Sequence, residues 1–147
     1  MTGRLSPLLG LCLLAVACSG PSGPLTALEA RRGQWVLVNY WAEWCKPCIH
    51  EVPELNRLDA QPGVTVFGVN YDDVAGEELD RQMASLDIDF EQLSADPAAA
   101  LGLARPTVLP TTIVIDPEGD RVAVLVGPQS YETLHATTLG RAKKTGP

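Results

Sequence analysis

The sequence has few of the side chains that build metal and general-base sites. Its 147 residues include two histidines and four cysteines, and only Cys45 and Cys48 are spaced as CxxC. A closed zinc site takes four nitrogen or sulfur ligands. No second CxxC is present, and His50 and His135 stand in no ligand pattern. Basic residues number 11 against 18 acidic ones, for a net charge of −7. With no basic run, nucleic acid is not an expected partner. The one clear apolar run near the start, Leu8 to Ala17, is well short of the roughly 20 residues a membrane-spanning helix requires. No internal repeat appears, and the length suits one domain with its own core.

What is present centres on Trp41-Ala42-Glu43-Trp44-Cys45-Lys46-Pro47-Cys48, between the apolar run Trp35–Tyr40 and a helical pattern. Two cysteines so placed can cycle between dithiol and disulfide, or supply half of a metal site. A helix starting at Cys45 or Lys46 puts the Cys45 sulfur at its N-terminus, where unpaired N–H groups and the positive dipole end favour a thiolate. Lys46 adds a positive charge, and Pro47 suits a first helical turn. Cys48 lies on the same helix face, within reach of a disulfide to Cys45. The competing reading is soft-metal binding, copper or zinc, by the two thiolates. A peroxide-reacting Cys45 is a third.

The N-terminus reads as an export signal, with one positive charge in residues 1–4 and a short apolar run ending at Ala17. Cys18 directly after small residues resembles a bacterial lipobox, although Ala15 stands where leucine is usual. The resemblance implies cleavage after residue 17, lipidation of Cys18 and a membrane-anchored, periplasmic or extracytoplasmic protein, an oxidising setting for a CxxC. Residues 18–27 read as a tether, 28–142 as the folded domain and 143–147 as a frayed end.

Along the chain the pattern predicts buried strands at 35–40 and 63–70, with a helix from Cys45 to about Ala60 between them. That helix places Cys48, Val52, Leu55 and Leu58 on its inner stripe and His50 on its solvated side, with Pro53 inside. Asp72-Asp73 are expected to cap a helix from Val74 to about Leu86, with a Glu77–Arg81 pair. A short edge strand is expected within 88–93, and a helix from Asp96-Pro97 to Leu103. Strands 111–115 and 121–126 flank the turn Asp116–Asp120, and Ser130 caps a last helix to about Arg141.

The segment Val38–Cys48 resembles the active site of thioredoxins. Glu51-Val52-Pro53-Glu54-Leu55, Gly68-Val69-Asn70, Leu109-Pro110-Thr111-Thr112, Ile115-Asp116 and Gly119 resemble more narrowly the TlpA/ResA/DsbE branch of membrane-tethered thiol-disulfide oxidoreductases. The resemblance covers about residues 28–139. It implies a thioredoxin-like α/β fold, a central mixed sheet with helices on both faces and an insertion before the proline. It implies a cis bond at Pro110 that exposes the Leu109 backbone to an extended substrate, with Pro106 the weaker candidate. It also implies a role for Glu51 in moving the Cys48 proton, with Glu43 the runner-up. Asn39 departs from the pattern, because thioredoxins generally carry an aspartate there and asparagine does not titrate. Trp41 is expected in the core. Trp44, Lys46 and Pro47 are expected on the surface that meets substrates.

The function expected on these grounds is thiol–disulfide exchange on exported proteins, as a reductant. The resemblance implies a membrane electron-transfer protein as electron source and apocytochrome c thiols as a substrate type. No cofactor beyond the Cys45–Cys48 disulfide and a monomeric state are expected.

Overall fold

Residues 23–142 are described by the computed structural model. The expected leader, Cys18 and the frayed end at 143–147 lie outside the described residues. The tether expected over 18–27 gives way earlier than its assigned end, because helix α1 begins at Pro24 (Pro24–Glu29) and buries Leu28. Proline at the first helical position loses no hydrogen bond there. Among the described residues, no helix is long and apolar enough to cross a membrane.

Strand β1 (Trp35–Trp41) is buried along its whole length, and β2 (Val64–Asn70) nearly so. They pair in parallel, from Trp35 opposite Val64 to Trp41 opposite Asn70. Continuous apolar runs of this kind fit strands covered on both faces. Helix α2 (Lys46–Asp59) makes the crossover between them. Beyond β1 lie β4 (Thr111–Ile115) and β5 (Arg121–Val126), both antiparallel to their neighbours. The two-residue β3 (Glu91–Gln92) closes the other edge, and the spatial order is β3-β2-β1-β4-β5. Alternation along β1 sends Trp35, Leu37 and Trp41 into a core shared with α2 and Leu134, and Val36, Val38 and Tyr40 into a second core with Leu28, Phe67 and Ile113.

Four expectations at the local level are corrected. Helix α3 is Glu77–Ser85, with Gly76 and not Asp72-Asp73 at its N-cap. Asn70 Oδ1 instead accepts the backbone N–H groups of Asp72 and Val74, so the chain turns there before it coils. Arg81 pairs with Glu78 and with Glu43, and no Glu77 pair forms. Residues 97–103 make successive hydrogen-bonded turns, Leu101 N–H to Pro97 and Leu103 N–H to Ala98, in place of the expected helix. The last helix divides into α4 (Tyr131–Thr137) and α5 (Leu139–Ala142). At the break Thr138 Oγ1 donates to the Leu134 carbonyl, a back-bond that competes with the helical ladder.

Ser130 caps α4 as expected, its Oγ accepting from Thr133 N–H, and Leu134 is fully buried against the core under α2. Leu134→Ala should therefore lower unfolding free energy by about 2–5 kcal/mol, seen as a lower urea midpoint with an unchanged m-value. A loss within about 0.5 kcal/mol, as at surface positions, would show that α4 is not anchored this way.

Candidate active site

Cys45 is the N-cap of α2. Its backbone is extended, and its Sγ accepts the backbone N–H of Cys48 at 3.3 Å. The helix begins there because Lys46 and Pro47 occupy its first two positions and leave no donor at Pro47 to strand. Cys45 and Cys48 are joined in a disulfide with Cα atoms 5.3 Å apart. Both are buried, at 4 % and 3 % exposure, while Trp44 beside them is 64 % exposed.

The disulfide opens on a groove of about 420 Å³. Trp44, Cys45, Lys46 and Pro47 line it from the CxxC segment, and Tyr71, Thr107 and Leu109 from two other loops. The Trp44 indole N–H donates to Asp72 at 2.8 Å. The Leu109–Pro110 bond is cis, the sole such bond among the described residues, so Pro106 is trans. Pro110 is buried, and its carbonyl accepts from Gly127 N–H at 2.9 Å.

Glu51 lies one helical turn beyond Cys48 on the buried face of α2, at 1 % exposure. Its Oε1 accepts the backbone N–H of Gln129 at 2.9 Å, and its Oε2 accepts from Asn39 Nδ2 at 3.0 Å. Asn39 also donates to Thr112 Oγ1 at 2.9 Å, directly across the β1–β4 ladder. Burial raises the Glu51 pKa from the ordinary 4.5 to about 7, against the two hydrogen bonds, which favour the charged form. Neighbouring Glu54 accepts the backbone N–H of Tyr131.

The other candidates separate cleanly. Glu43 is half-buried in the loop and ion-paired to Arg81. His50 is exposed on α2, His135 lies against the Tyr131 ring, and Trp41 is core. Among the described residues no three His, Cys, Asp or Glu side chains form a metal-sized group. Tyr71, Thr107, Thr112 and Gln129 were not anticipated. Each reaches the site from a loop or neighbouring strand, and only Thr112 stood within a motif quoted from the sequence, with no role assigned to it.

The AhpC/TSA family model matches residues 19–122. The chain belongs to that family. Among curated members, it is 33 % identical over 116 residues to the thiol:disulfide interchange protein HelX of Rhodobacter capsulatus, covering 78 % of this chain and 65 % of that one. It is 29 % identical over 117 residues to the thiol-disulfide oxidoreductase ResA of Bacillus cereus, covering 76 % and 66 %. The chain thus spans just under two-thirds of the length of these relatives. Among solved structures it is similar to a secreted thiol-disulfide isomerase from Corynebacterium glutamicum, with a TM-score of 0.67, 29 % identity and coverage of 79 % and 75 %. It is also similar to a putative thiol:disulfide interchange protein DsbE from Chlorobium tepidum, at 0.62, 25 % and coverage of 75 % and 81 %. The five-stranded mixed sheet is the thioredoxin-like fold of these neighbours.

A carboxyl whose pKa rises on folding binds its proton more tightly in the native state. Its contribution to stability is therefore complete below about pH 4.5 and is lost as pH rises through about 7. Unfolding free energy should fall by up to about 3 kcal/mol across that window, and Glu51→Gln should remove most of the fall. Asp59, also raised by burial, contributes with the same sign in both proteins, so the difference between them isolates Glu51. Parallel pH profiles would show that Glu51 titrates as a solvated acid.

Proposed function

We propose that this protein exchanges thiols and disulfides with exported polypeptides through Cys45 and Cys48, and that it acts as a reductant. The observation that carries the reading is the placement of the Cys45–Cys48 disulfide at the N-terminus of α2, opening on a groove walled by the segment before Pro110.

In the reduced protein the Cys45 thiolate attacks one sulfur of a substrate disulfide, and the other substrate sulfur leaves as a thiolate and takes a proton. Cys48 then loses its proton and attacks Cys45 in the mixed disulfide, releasing the second substrate thiol. Two electrons pass from the Cys45–Cys48 pair to the substrate. The pair ends as the disulfide, and the substrate gains two thiol protons. Cys45 is the attacking sulfur because helix N–H groups and Lys46 favour its thiolate. Glu51, poised near pH 7 on the Cys48 side, takes up the Cys48 proton. The Leu109 main chain, beside Cys45 in the groove, pairs with an extended substrate segment.

The names of the relatives support exchange chemistry, and one structural neighbour is named as a secreted protein. The export-type N-terminus and the lipobox-like Cys18 support a membrane-anchored, periplasmic site of action. A membrane electron-transfer protein would then return the Cys45–Cys48 pair to its dithiol form. Paired thiols of an apocytochrome c are the substrate type that the resemblance offers.

Cys45→Ser should abolish reduction of a protein disulfide, and Cys48→Ser should accumulate a mixed disulfide visible on non-reducing gels. Normal turnover by Cys45→Ser would end the reading. The reduction potential, measured against glutathione or dithiothreitol buffers, should fall near the value of about −270 mV typical of thioredoxin. A value near −120 mV would make the protein a disulfide donor.

A further inference from the structure

The groove beside Cys45 has two walls that belong to no shared element. Tyr71 follows β2, whereas Thr107 and Leu109 lie in residues 103–110, which form neither helix nor strand. The ladders of β1 with β2 and with β4 end at Trp41–Asn70 and Tyr40–Thr111, so they hold the roots of the two walls but not the segment 103–109 beyond them. One side chain spans the two walls. Arg105 Nη2 donates to the Tyr71 carbonyl at 2.8 Å and to Asp73 Oδ1 at 3.2 Å, and its guanidinium carbon sits 4.4 Å from the Tyr71 ring centroid. Its Nε meets Asp96 Oδ2 at 3.1 Å.

Asp96 is itself held from below. Its Oδ1 accepts from the hydroxyl of buried Tyr40 at 2.7 Å and from Ala98 N–H at 2.8 Å. The loop that Arg105 grips is tied on its far side to the active-site segment, through Asp72 and the Trp44 indole. From these contacts we infer that Arg105 is a positioning residue, fixing the width of the groove in which a polypeptide disulfide meets Cys45. The inference rests on the exchange reading above and names the element that holds the polypeptide part of the substrate.

An isolated exposed ion pair would carry little of this argument, because such pairs contribute about 0–1 kcal/mol. Arg105 differs in what its fork joins. One rigid, planar group satisfies a backbone carbonyl and two carboxylates from separate segments and stacks on the ring that lines the groove. A lysine ammonium, as a point charge, cannot make that set of contacts. Groove width matters to a polypeptide pressed between Tyr71 and Thr107–Leu109. It matters less to a small disulfide that reaches the sulfur alone.

The test compares the wild type with Arg105→Leu, each recycled to the dithiol by dithiothreitol at a fixed concentration and corrected for the uncatalysed rate, using insulin as the polypeptide disulfide and hydroxyethyl disulfide as the small one. The expected result is about a fivefold rise in KM for insulin, equivalent to about 1 kcal/mol. The insulin kcat should change by less than about twofold, the rate with hydroxyethyl disulfide should fall less than that with insulin, and the Cys45–Cys48 potential should stay put. Arg105→Lys should leave the insulin KM raised, and full rescue by lysine would overturn the clamp. Equal losses on both disulfides, or a shifted potential, would also overturn it, because the residue would then act on the sulfurs. Should Arg105→Leu fail to fold, Asp73→Ala removes one exposed anchor and should raise the insulin KM in the same direction, and an unchanged KM there sinks the proposal. A wild type inactive toward both disulfides would instead refute the exchange reading itself.

Discussion

One buried carboxyl holds the working parts of this molecule together. Glu51 belongs to α2, receives Asn39 from β1 and receives Gln129 N–H from the chain entering α4. Through Asn39 it also reaches Thr112 in β4. Three elements therefore meet at this side chain and β4 joins them through Asn39, a turn below the disulfide. A carboxyl taken out of water is costly unless it is hydrogen-bonded or neutral, and both remedies are in play here. Its donors are one backbone amide and one side-chain amide, neither of them charged. Burial consequently still dominates and leaves the group titrating near pH 7. With an arginine in place of Asn39, opposite charge would hold the carboxyl ionised.

Asn39 shows how a departure from a family pattern can be read in part. From sequence it follows that this position cannot accept a proton. The structure adds what an amide does there that a carboxylate cannot, namely donate two hydrogen bonds, to Glu51 and to Thr112. An aspartate in its place would set two acids against each other in the same buried volume. The asparagine and the buried glutamate form one arrangement, in which a single titratable group lies under the redox pair.

The sequence was legible wherever a single segment decides its own fate. The apolar runs at 35–40 and 63–70 read as covered strands, and Lys-Pro after Cys45 suits a helix start, as the fold has them. It misled where side chains are claimed by distant partners. Asp72 and Asp73 have the chemistry of helix caps, but Trp44 and Arg105 take their carboxylates while Asn70 takes the backbone, and α3 starts at Gly76 without them. Asp96-Pro97 looks equally like a helix start, yet Asp96 is held by Tyr40 and Arg105, and the chain passes 97–103 as turns. In the site, the cysteines, Glu51 and Pro110 are local in sequence signal. Tyr71, Thr107 and Gln129 carry no such signal, because only the tertiary fold brings them to the groove.

The two sulfurs are chemically similar and differ in what surrounds them. Cys45 sits at the first N–H groups of α2, and its sulfur already accepts one of them in the oxidised form. Opening the disulfide therefore leaves a negative charge at Cys45 in a prepared place, with little reorganisation to follow. Cys48, three residues further in, faces the core and is not at the cap. The buried acid on its face of α2 is Glu51. An ionised Glu51 can take the Cys48 proton but disfavours a lasting charge on Cys48, whereas a protonated Glu51 tolerates the charge but cannot create it. In the exchange proposed above, a group titrating near 7 would hold both states at comparable population for a step that needs first a base and then a neutral neighbour.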